Sequence, residues 1–121
     1  MNNLRNTIID LLDRCENNII NEEIVLIEAE VLFGKHYLDI DYPKNDYRSI
    51  IIEVLSQLEI IHHQWILKDD ISQIRKFLNT STGNELNAWK DWENYWQNID
   101  FKKRDILIKT STFYMQYKTN T

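Results

Sequence analysis

A chain of 121 residues with 43% hydrophobic and 27% charged side chains has the size of one domain and enough apolar content for a core. This composition excludes an intrinsically disordered chain and the apolar excess of a membrane protein. The net charge of −5 disfavours nucleic-acid binding, which needs clustered cations free of competing acids. Cys15 is the only cysteine, so no internal disulfide forms, and two glycines and one proline are too few for tight β-hairpins.

The N-terminal segment, roughly 3 to 17, reads as an amphipathic helix. Leu4, Ile8, Leu11, Leu12 and Cys15 recur at three- and four-residue intervals, with Asp10, Asp13 and Glu16 on the other face. Acids and arginines interrupt its apolar residues, so no secretion signal is visible and a cytosolic protein is expected. A second helix starts at Asn21, a good N-cap. Glu22 and Glu23 in its first turn suit the helix dipole, and Gly34 ends it. Its interior, IVLIEAEVLF, is apolar on most sides and marks it as the central helix, although the alternation from Ile27 to Val31 also suits a strand.

The segment KHYLDIDYPKND contains the only proline and reads as the main loop. Asp46 is placed to cap a third helix with a stripe of Ile50, Val54, Leu58 and Ile61, broadened by Ile51 and Leu55. Asp69 or Asp70 caps a short fourth helix carrying Ile71, Ile74, Phe77 and Leu78, which NTSTGN then breaks. Leu86, Trp89, Trp92 and Trp96 define a fifth. Asp100 opens a sixth with Phe101, Ile108 and Met115 on one face, but the β-formers in TSTFYMQY also suit a terminal strand. The expected fold is all-α, a single compact bundle of about six helices spanning 1–121, with a possible short terminal or edge strand.

No side-chain set announces a catalytic or metal chemistry. Adjacent His62 and His63 diverge by about 100° on a helix and do not readily grip one metal. His36 beside Asp39 and Asp41 has no repeated ligand spacing behind it. Asp39, Asp41 and Asn45 lack the glycine and closing glutamate of a calcium loop. No nucleophile has a conspicuous base beside it, so the chain is read as a non-enzyme without cofactors or metal.

Trp89, Trp92 and Trp96 stack along one helix face, either as core or as an exposed hot spot. The core reading is favoured, with Tyr95 the member of this set expected to reach the surface. Lys102, Lys103 and Arg104 sit in a first helical turn, where they oppose the dipole. Pairing with the acidic half of the chain, −7 over residues 1–60 against +2 over 61–121, would compensate them, as would plain solvation.

Seven of the nineteen acids lie between Glu22 and Asp46 against only Lys35 and Lys44, a local −5 that would draw a basic partner. Helix needs explain Glu22 and Glu23. The candidate partner-binding residues are therefore Asp39, Asp41, Tyr42, Asp46 and Tyr47 in and around the proline loop, with Glu28 and Glu30 behind them. The two glutamates would be structural if they instead face Lys102 to Arg104.

The run Phe77 to Thr80, a short polar turn, then Ala88-Trp89, Trp92, Tyr95-Trp96, Ile99-Asp100 and Arg104 resembles the C-terminal part of small bacterial immunity-type proteins that accompany polymorphic or contact-dependent toxins. The resemblance implies tight binding to a cognate toxin domain, often a nuclease, with no catalysis by the immunity protein. The alternative from the residues alone is a helical adaptor or regulatory subunit that uses an apolar groove instead of charge.

Overall fold

The computed structural model describes residues 2–35, 41–59 and 70–109, which form six helices and, among the described residues, no strand. These are α1 (Asn2–Glu16), α2 (Glu22–Lys35), α3 (Tyr47–Glu59), α4 (Ile71–Leu78), α5 (Glu85–Gln97) and α6 (Phe101–Lys109). The all-α expectation holds, and α2 is a helix over the stretch where alternation also suited a strand. The proposed terminal strand and Met115 lie outside the described residues, as do His36, Asp39, His62 and His63.

Short polar residues set the helix ends. At the end of α1, Asn18 takes a left-handed φ of 61°, the Ile19 N–H donates to the Arg14 carbonyl at 2.9 Å, and the Asn18 N–H donates to the Cys15 carbonyl at 3.1 Å. This pair of bonds is a Schellman closure, with asparagine in the place glycine usually takes. Asn21 caps α2 as expected, its side-chain oxygen accepting from the Ile24 N–H at 3.0 Å. Asp46 and Asp100 likewise cap α3 and α6, accepting from the Arg48 and Lys103 N–H groups. Asp70 departs from this pattern. It occupies the N-cap position of α4 without making a side-chain cap hydrogen bond, because its carboxylate turns to Arg104 and Tyr95.

The core combines the α1 stripe (Leu4, Ile8, Leu11, Leu12, Cys15) with Val25 and Ala29 of α2, the α3 stripe, Ile71, Ile74, Phe77 and Leu78 of α4, and Trp92 of α5. The central helix is α3, which packs against α2, α4 and α5 and buries six of its thirteen residues. This corrects the expectation for α2. The apolar residues of α2 surround the whole helix, but among the described residues only one arc is buried against neighbours, and α3 takes most of that contact.

Between helices, Arg75 of α4 reaches back to Asp13 and Glu16 of α1 at 2.7 and 2.8 Å. The Tyr47 hydroxyl donates to the Leu78 carbonyl at 2.5 Å, joining the start of α3 to the end of α4. Before α5, Gly83 has a φ of 94° and its N–H donates to the Glu85 carboxylate, which accounts for the burial of that acid.

Candidate functional site

Two surfaces carry unassigned chemistry: the outer face of α2, and a groove beside the tryptophans of α5. On α2, Val25 and Ala29 turn inward together with half-buried Leu26, Leu32 and Phe33. At about 100° per residue the remaining positions from Glu23 onward fall on one outward arc. Ile24, Ile27 and Val31 run down its centre, exposed to 39%, 45% and 57%, with Glu28 on one side and Glu23 and Glu30 on the other. Three large aliphatics left in water between three carboxylates make an amphipathic surface that the fold itself does not use.

The charges support this contrast. Arg14, Lys44, Arg48, Arg75, Lys76, Arg104 and Lys109 each pair with an acid of their own chain. None of those acids belongs to α2, so Glu23, Glu28 and Glu30 have no ion-pair partner among the described residues. Glu28 and Glu30 are exposed, and among the described residues neither forms an ion pair with the run from Lys102 to Arg104. In that run, Arg104 is instead compensated by Asp70 from its own half of the chain, while Lys102 and Lys103 are exposed.

The proline-loop candidates divide. Asp39 lies outside the described residues, and Asp41 is exposed. Asp46 is held by Arg48, whose Nη2 approaches to 2.6 Å, and these hydrogen bonds lower its pKa to about 2. Arg48 also lies over the Tyr42 ring at 4.1 Å, and the Tyr47 phenol is committed to Leu78. Asp46, Tyr42 and Tyr47 therefore serve the loop and the entry to α3, whereas Asp41, Glu28 and Glu30 face solvent.

The aromatic row joins the core at Trp92 and packs half-buried against it at Trp89 and Trp96. Trp92 is buried and stacks on Phe77 with centroids 4.4 Å apart and planes 10° apart. Trp89 meets Phe77 edge-on and donates its indole N–H to Ser49 Oγ at 2.9 Å, while Trp96 meets Trp92 edge-on. Tyr95, expected as the surface member of the set, has an inward role as well through its hydroxyl. It is half-buried, and its hydroxyl donates to Asp70 at 2.5 Å. Burial first, then the negative charge and hydrogen bond of Asp70, push its pKa up to about 12. Asp70 in turn accepts two guanidinium bonds from Arg104, at 2.7 and 2.8 Å. Burial opposes the Arg104 charge, but Asp70 outweighs it and raises the pKa.

Trp89 and Trp96 also line a half-open groove of about 650 Å³ between α3 and α5. Glu53 and Gln57 line it from α3, and Lys44, also in its lining, reaches Glu93 at 2.5 Å while lying over the Trp89 ring at 5.1 Å.

Sequence reasoning missed Ile24, Ile27 and Val31 as surface residues, and Asp70, Tyr95 and Lys44 as contact-makers. The available signal for the first three was an apolar girdle on α2 wider than one neighbour can cover. Among the described residues no group of three His, Cys, Asp or Glu is placed to hold a metal, and no helix is long and apolar enough to cross a membrane. Compared with known proteins, the chain matches no family model, no curated protein and no solved structure.

Proposed function

We propose that this protein is a binding module of the immunity type, an inhibitor without catalysis of its own that docks a basic toxin domain, such as a nuclease, on the outer face of α2. The observation that carries the reading is that face: an apolar centre of Ile24, Ile27 and Val31 flanked by Glu23, Glu28 and Glu30, none of which is drawn into an ion pair by the cations of the described residues. Its layout is that of a protein interface, with an apolar patch for lasting affinity and rim charges that steer the encounter. Carboxylates in this arrangement stand in for the phosphates that a nuclease cleft normally receives. The resemblance of residues 77–104 to immunity-type proteins adds the toxin as the class of partner.

Capture from the source cells on immobilised protein, followed by growth tests, examines the reading. The expected partner is basic, arrests growth when expressed alone, and is tolerated when this protein is co-expressed. Ile27→Lys combined with Glu28→Lys and Glu30→Lys should abolish both capture and rescue while leaving the helical content unchanged. A captured partner that is harmless alone and is retained equally by that variant contradicts the proposal.

The three exposed aliphatics also favour a second reading, a helical adaptor that docks through apolar contact alone. Such a complex would be insensitive to salt, whereas the inhibitor complex forms more slowly as salt rises.

A further inference from the structure

We infer that the groove between α3 and α5 is a cation subsite that receives an arginine side chain from the protein's partner. The structure displays the chemistry of the subsite with a residue of its own. Lys44 sits over the Trp89 ring at 5.1 Å and bonds to Glu93 at 2.5 Å, so an aromatic face and a carboxylate of the lining already grip a cation. This occupant is weakly held. Both side chains of the Lys44–Glu93 pair are about half exposed, and exposed pairs of this kind contribute roughly 0–1 kcal/mol.

The groove also has acid to spare. Glu53 lines it and accepts only the Gln57 amide at 2.8 Å, with no cation paired to it among the described residues. Arg104, which also lines the groove and lies over Trp96 at 5.6 Å, is balanced by Asp70. With Lys44 set against Glu93 and Arg104 against Asp70, Glu53 is the lining charge that no cation of the described residues compensates. A volume of about 650 Å³ exceeds what one lysine head fills and lies within the range of ligand sites. A flat guanidinium suits it better than an ammonium, because it stacks on an indole while its in-plane N–H groups serve carboxylates at the rim. The identity of the cation as a partner's arginine rests on the basic-partner reading above; the cation site itself does not.

The test uses the purified full chain and two small probes, N-acetyl-arginine methylamide and its uncharged counterpart N-acetyl-citrulline methylamide, followed through the tryptophan indole N–H resonances. The arginine probe should shift the Trp89 signal and the citrulline probe should not. Lys44→Met vacates the subsite and should tighten arginine-probe binding about fivefold, and adding Glu53→Gln should remove that gain. Equal shifts with citrulline, or weaker arginine binding by Lys44→Met, overturn the inference. Spermidine binding as tightly as the arginine probe overturns the assignment to a guanidinium. The α2 variants leave the groove intact, so failed capture beside a positive probe response refutes the docking reading alone, and capture through α2 beside a silent groove refutes this inference alone.

Discussion

Removing one partner of the Asp70–Arg104 pair leaves a charge buried without its counterion. Their side chains are exposed to 1% and 12%, and they bind through two parallel hydrogen bonds. Asp70→Ala is therefore expected to cost about 3–5 kcal/mol in chemical denaturation. An exposed pair such as Lys76–Asp91, broken by Lys76→Ala, should cost less than about 1 kcal/mol. Tyr95 adds a pH dependence. Its phenol titrates near 12 in the fold against an ordinary value of 10.0, so the neutral form is favoured by folding. The stabilisation is fully present below pH 10 and is lost as pH rises from 10 towards 12, a loss that Tyr95→Phe should remove from the stability curve. At Asn18, where φ is 61°, alanine should cost about 1 kcal/mol because a Cβ without a compensating side-chain amide is strained there. Asp46 and Asp100 were legible as caps because a cap bond is local, reaching only two or three residues. The role of Asp70 was not, since the partner that draws its carboxylate away from capping lies thirty-four residues later.

Helix positions followed from apolar spacing, while the ranking of helices did not. The stripes of α1, α3 and α4 each face one way, so period and burial agree, and Leu4 through Cys15 all enter the core as expected. In α2 the apolar residues surround the helix, and the sequence does not show which arc is covered. Only packing decides that, by giving α3 three neighbours and leaving Ile24, Ile27 and Val31 in water. The two arcs should respond differently to truncation. Leu58→Ala in α3 is expected to cost about 2–5 kcal/mol, whereas Ile27→Ser on the outer arc of α2 should move thermal stability by less than about 0.5 kcal/mol. A large loss at Ile27 would mean that its side chain supports the fold, and the α2 face would then lose its claim to be a binding surface. In α5 the core reading holds for Trp92, while Trp89 and Trp96 are half-buried against it and also line the groove; Tyr95 is half-buried as well, and its hydroxyl reaches a buried carboxylate that the local pattern did not reveal.

Across the whole molecule, the division into an acidic and a basic half has little structural meaning. Lys44 of the acidic half pairs with Glu93 of the basic half, Arg75 of the basic half pairs with Asp13 and Glu16, and Arg104 is neutralised within its own half. Net charge was therefore legible in the sequence, and its address was not: internal pairs use acids outside α2, so Glu23, Glu28 and Glu30 stay without an ion-pair partner among the described residues, as do Asp41 and Glu53. That remainder should act through the rate of encounter more than through the lifetime of a complex, because exposed charges steer and buried apolar contacts retain. The most direct measurement is the association rate of the captured partner with wild type and with Glu28→Lys/Glu30→Lys, across a salt series. The account predicts that the variant associates about tenfold or more slowly at low salt and that the two rates converge at high salt. Equal rates for the two proteins at low salt would contradict it.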